Sequence, residues 1–140
     1  MTKENILRLF EMLSLCIIVS VVLGGCTGVI NPSELHGAYL AEYSFGSEKL
    51  TLSADGTYNQ VVTITTAGKT LSKTGKWSYD ASDKRITLED MYIVSNASGT
   101  LQADYDNVKD GICSLSVERT LFSRRLRLGS GEGNPYIKSK

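Results

Sequence analysis

From Gly37 onward the chain is a succession of short runs rich in Thr, Val, Tyr, Leu and Ile, each ended by turn residues and none with helical periodicity. Residues in such runs point alternately to the two sides of a pleated ladder, so parity alone sorts them into an inner and an outer set. Leu50 and Leu52 point one way while Lys49, Thr51 and Ser53 point the other. Tyr58, Val62 and Ile64 share a side, as do Trp77 with Tyr79, Ile86 with Leu88, Cys113 with Leu115 and Val117, and Leu126 with Leu128. The runs predict strands at Gly37–Tyr43, Glu48–Ser53, Thr57–Thr65, Lys69–Tyr79, Arg85–Leu88, Met91–Ser95, Ile112–Glu118, Arg124–Leu128 and Tyr136–Lys138. Asp55-Gly56 is the strongest hairpin signal, because glycine supplies the positive φ that tight connections need. Consecutive short strands with one apolar face must roll up or stack to bury it. The expected fold is therefore all-β: a small antiparallel meander barrel or half-barrel over residues 36–140, with a β-sandwich as runner-up. At 140 residues, without repeats, no second domain is expected.

The only strongly apolar run, near Leu13–Leu23, precedes this body and closes on Leu23-Gly24-Gly25-Cys26. Its length suits the helical core of a signal peptide and falls short of the roughly 20 residues that span a bilayer. Leu23-Gly24-Gly25-Cys26 resembles the bacterial lipobox, an aliphatic residue and two small residues before a cysteine. The resemblance implies a signal peptide over residues 1–25, cleavage before Cys26, lipidation of its thiol and a tether over 26–35. Two or three acyl chains, at ~0.8 kcal/mol per buried CH₂, would hold such a chain stably on a membrane. It further implies a place in the cell envelope, and Thr27 after the cysteine points to the outer membrane if the cell is Gram-negative. Extending the apolar run to Ile30 keeps an uncleaved single-span inner-membrane anchor as the alternative.

Within the body, Gly37-x-Tyr39, Leu50-x-Leu52-x-x-Asp55-Gly56-Thr57-Tyr58, Gly75-x-Trp77-x-Tyr79-Asp80 and Ile86-Thr87-Leu88 form a repeated strand-and-turn grammar. It is similar to that of lipocalin-like bacterial lipoprotein domains over Gly37–Leu88, with Tyr39 where lipocalins open on tryptophan. The resemblance implies a lipocalin-like barrel, and the short chain argues against eight long strands around a deep cup.

Fifteen basic residues balance fifteen acidic ones, so no overall field attracts nucleic acid. His36 is the only histidine, which excludes a multi-histidine metal site. Asp104, Asp106, Asn107 and Asp110 crowd one stretch, yet Lys109 occupies the glycine position of a calcium loop and no closing glutamate follows. Cys113 alternates with apolar residues and reads as a core thiol. No nucleophile elbow, zinc motif or phosphate loop is present, so neither a catalytic site, a metal nor a cofactor is expected. Two sets of binding candidates remain. Tyr58, Trp77 and Tyr79 could line an interior pocket for a small apolar ligand. Tyr105, in the long stretch Ser95–Asp110, and the outward-facing Arg125 and Arg127 could form an interaction surface. The expected role is a non-catalytic envelope domain that binds a protein or polymer. A small-ligand binder is the alternative, and an enzyme comes third.

Overall fold

The computed structural model describes residues 29–95, 100–101, 111–120, 124–129 and 134–140. The leader with Cys26, the acidic stretch 104–110 and Tyr105 lie outside the described residues. The described chain opens with one short helix, α1 (Pro32–Leu35), followed by β1 (Gly37–Tyr43), β2 (Gly46–Leu52), β3 (Thr57–Ile64) and β4 (Lys69–Asp80). The series continues with β5 (Arg85–Met91), β6 (Gly111–Arg119), β7 (Leu126–Gly129) and β8 (Tyr136–Lys138). Each strand pairs antiparallel with the next, and β8 returns to β1 through Tyr39↔Lys138 and Leu40↔Ile137. The sheet is a closed, eight-stranded meander barrel. Of the expected forms, the closed barrel is the one adopted; neither the half-barrel nor the sandwich forms. Eight strands close the ring although β7 and β8 have only four and three residues.

Alternation sorts the faces as parity requires. Tyr39, Leu50, Leu52, Tyr58, Ile86, Leu88, Leu115, Val117, Leu126 and Leu128 all point inward and are buried. At the Asp55-Gly56 turn, the Asp55 carboxylate accepts from the Thr57 backbone N–H at 2.9 Å and from its hydroxyl at 2.6 Å. Gly56 takes φ 80°, the left-handed conformation this connection demands.

Two expected strands come out differently. Met91–Ser95 is not a strand: Met91 ends β5, and Ser95 pairs with Leu101 in an isolated bridge. The Gln60 side chain replaces the missing ladder, accepting from Tyr92 N–H and donating to Tyr92 C=O, each at 2.9 Å. The strand expected at Arg124–Leu128 begins only at Leu126. Thr120 and Arg125 close the connection by a 2.9 Å backbone bond, and Arg124 is held at φ 52°.

The ends of the barrel differ. At the lower end lie α1 and the β2–β3, β4–β5 and β6–β7 connections. The sequence reading made residues 26–35 a tether, but its second half belongs to the globular body: Ile30 and Leu35 are buried in the core. Asn31 caps α1, accepting from Ser33 N–H while its own N–H donates to Glu34 Oε1. The helix carbonyls are taken in turn: Leu35 O by the Tyr39 hydroxyl at 2.7 Å, and Glu34 O by Lys138 Nζ. At the upper end Phe45, Val62, Ile64 and Val94 form a second buried cluster.

One close approach in the wall joins three strands. Tyr58 of β3 lies over Gly75 of β4, and its hydroxyl donates to Glu89 C=O of β5 at 2.6 Å. That carbonyl is free because the β5–β6 register slips between Leu88 and Met91, a bulge in which Asp90 takes φ 59°. A Cβ at position 75 would collide with the Glu89 oxygen and stand 2.6 Å from the Tyr58 ring. Gly75→Ala is therefore expected to cost about 1–3 kcal/mol in chemical denaturation, against a few tenths for Thr74→Ala on the outer face. An equal effect of the two would show that the close approach does not matter.

Candidate functional site

Two chemically distinct places stand out on this scaffold: a carboxylate sealed inside the upper half of the barrel and a basic groove outside its lower end.

Glu48 sits on the inward face of β2 with Leu50 and Leu52 and is 2 % exposed. Gln60, inward on β3 between Tyr58 and Val62, is 0 % exposed. The Gln60 amide orientation is set by Tyr92, whose N–H must meet the Gln60 oxygen, so the amide nitrogen is left to donate to Glu48 Oε1 as well as to Tyr92 C=O. The Tyr43 hydroxyl donates to Glu48 Oε2 at 3.3 Å, and Tyr136 of β8 bonds to the same carboxyl. Tyr43 is bonded further to Ser95 and Tyr136, and its ring stacks on Phe45 at 4.9 Å. Lys73, half-buried on β4, places its ammonium 5.1 Å from the centre of the Tyr92 ring. Among the described residues, every buried side-chain nitrogen and oxygen has a partner.

Burial dominates the electrostatics here. It pushes the Glu48 carboxyl above the usual range, against the hydrogen bonds from Tyr136, Gln60 and Tyr43 that favour its ionised form. Burial, together with the Glu48 charge, likewise raises the Cys113 thiol and the Tyr136 phenol. Cys113 is thus a poor thiolate, in keeping with a packing role. Sequence reading passed over both members of this pair. The signal was present in parity: Glu48 shares the face of Leu50 and Leu52, and Gln60 falls between two inward apolar residues.

The residues expected to line a pocket are distributed differently. Tyr58 is 1 % exposed, its ring against Gly75 and its hydroxyl bonded to Glu89. Trp77 and Tyr79 are half-buried on the inner face of β4, where Trp77 Nε1 donates to Ser53 C=O at 2.9 Å. His36 meets the Trp77 ring edge-on at 5.8 Å. All three aromatics pack in or against the lower core. Arg125 and Arg127 have different surroundings. Arg127 is exposed on β7, directly across the ladder from Glu118. Arg125 stands before the strand and lines an open groove of about 280 Å³ at the lower end, with Arg119, Arg124, Lys138, Lys140 and Glu34. Glu34 and Arg119 form an ion pair at 2.7 Å, which with the Asn31 N–H holds the Glu34 carboxyl below its ordinary range.

Among the described residues no helix is long and apolar enough to cross a membrane. Comparison with protein-family models, with curated proteins and with solved structures returns no match to this chain.

The sign of the Glu48 effect follows from its raised ionisation. A carboxyl that binds its proton more tightly in the folded chain contributes stability that is complete below its unfolded value and is lost as pH rises through the folded one. Each unit of elevation amounts to about 1.4 kcal/mol. Denaturation from about pH 4 to pH 8 should show stability falling with pH, and Glu48→Gln should flatten that fall. A variant with the same slope as the parent would show that Glu48 is not the responsible group.

Proposed function

We propose that the chain is a membrane-tethered bacterial lipoprotein of the cell envelope, lipidated at Cys26, whose barrel is a non-catalytic interaction module. It meets its partner, a protein or polymer, through the outer surface and not through the interior. The close packing of inward side chains carries this reading. Tyr39, Leu50, Tyr58, Gln60, Ile86, Leu88 and Leu128 come from five strands and are all but completely buried. A carrier of small apolar ligands needs a lined cavity of several hundred Å³. Here Tyr58 and Trp77, two of the aromatic residues that could line one, have their polar atoms bonded to the backbone carbonyls of Glu89 and Ser53.

Exposed apolar side chains support an outward-directed role. At the start of β6, Ile112 is 74 % exposed, and Ile93 lies close by, its side chain against Gly111. Both stand at the upper end, away from the end at which α1 and residue 29 enter. A chain tethered through Cys26 would present that upper end away from the membrane.

Two measurements test the reading. Cells grown with a clickable fatty acid should label the chain, and Cys26→Ser should abolish the label; an unlabelled full-length parent would refute the tether. Trp77 is the only tryptophan, so its fluorescence reports on the lower core. Titration with long-chain lipids should leave the emission unchanged, whereas a saturable shift would move the function to an interior small-ligand carrier.

A further inference from the structure

We infer that the upper half of β4 is an open sheet edge that takes up an extended acidic segment of a partner protein as an added strand. The inference rests on the outward-binding reading above and adds to it the surface and the kind of partner.

The wall is paired on both sides over only part of the length of β4. That strand has twelve residues, and β3 runs beside it from Lys69 to Lys76. On the other side β5 pairs with it from Trp77 to Asp80. Ladder alternation decides which main-chain groups are left over. Trp77 N–H donates to Gly56 C=O at 2.8 Å, so the residues in step with it, Gly75, Lys73, Leu71 and Lys69, turn their main-chain groups toward β3. Thr70, Ser72 and Thr74 turn theirs the other way, where no strand pairs with them among the described residues. All three residues are exposed.

Two side chains hold the chain that leaves β5 away from this edge. Leu88, opposite Trp77, is the last β5 residue paired with β4, and the bulge begins there. Tyr58 then binds the Glu89 carbonyl, and Gln60 binds both main-chain groups of Tyr92 from the inner face of β3. The main chain that could have extended the β4 ladder is thus committed to β3 side chains.

Charge selects the occupant. β4 carries Lys69, Lys73 and Lys76 with no acidic residue before Asp80, and β3 carries no charged side chain. Exposed Lys49 of β2 adds to the same outer face, in line with Val61 and Ser72. On β5, Glu89 and Asp90 come at the foot of the edge, where the Glu89 carbonyl approaches Gly75. Lysines on an edge strand disfavour pairing with a copy of itself. A second copy of this chain laid antiparallel along β4 would crowd the lysines of both strands together. An extended segment with an acidic side chain at every second position meets them as opposite charges instead. Its main chain supplies the bonds to Thr70, Ser72 and Thr74.

The test is amide exchange resolved residue by residue by NMR, on the full-length chain in a non-ionic detergent. In the free chain, Thr70, Ser72 and Thr74 should exchange about 100-fold or more faster than Leu71 and Lys73, whose N–H groups bond to β3. The probe is an end-blocked peptide of alternating glutamate and valine, about eight residues long to match the edge. At saturation it should slow those three amides about tenfold or more. A lysine–valine peptide should leave them unchanged. So should the glutamate–valine peptide N-methylated at every residue, which keeps the charge and loses the donors. Ser72→Pro removes an edge N–H without removing a bond to β3, and should abolish the slowing at Thr70 and Thr74; the methylated peptide needs no variant. Slow exchange of the three amides in the free chain overturns the inference, as does equal slowing by the lysine or the methylated peptide. A concentration-dependent dimer that protects the same amides without peptide also overturns it. The two levels separate: a saturable Trp77 shift with lipid removes the outward-binding reading and this docking with it, whereas an edge protected in the free chain removes the docking alone.

Discussion

The contact on which the barrel depends is that of Tyr58 with Gly75 and Glu89. A sheet of eight short strands closes only if it curves sharply somewhere, and glycine together with a bulge is how a ladder bends. Here the glycine is on β4 and the bulge on β5, and one tyrosine from β3 covers the first while bonding to the carbonyl exposed by the second. The ring fills the space left by the missing side chain. Its hydroxyl satisfies a backbone group that burial would otherwise leave unpaired. Because the ring is committed to this role, Tyr58 itself is packed into the wall.

Above this level the core changes character. The lower half is aliphatic and aromatic, plugged by α1 through Leu35. Toward the upper end, Glu48, Gln60, Tyr43 and Tyr136 place a carboxyl, an amide and two phenols in the same ring of strands, joined to the segment after β5 through Tyr92 and Ser95. Gln60 is the pivot, since one side chain both closes the carboxyl network and stands in for a strand partner to Tyr92. The upper end thus adds a network of side-chain amide and phenol bonds to its apolar cluster.

Much of this was legible in the chain. Period-two alternation assigned the inward residues of β2, β3, β5, β6 and β7 correctly, because a strand buried on one face cannot shift register without exposing its whole apolar set. Asp55-Gly56 marked its turn because its chemistry is local. The errors fell where a long-range partner intervened. Met91–Ser95 has strand composition, but Gln60, some thirty residues earlier in the chain, takes up the Tyr92 backbone. Arg124 and Arg125 have strand parity, but Thr120 folds them into a connection. Residues 30–35 have linker composition, but Ile30 and Leu35 find a hydrophobic opening to fill. For the binding candidates, alternation says that Tyr58, Trp77 and Tyr79 face inward, and only the packing says whether space remains beside them.

The sequence by itself determined an all-β meander, the inner and outer sets of its residues, and a lipobox-like cysteine ahead of it. These are properties of local pattern and need no knowledge of which strand meets which. Tertiary structure alone decided that the ring closes, that Glu48 and Gln60 meet inside it, and that five scattered basic residues converge on one groove beside α1. Those outcomes depend on residues distant in the chain becoming neighbours across a curved wall, and the curvature itself comes from a tyrosine, a glycine and a bulge on three different strands.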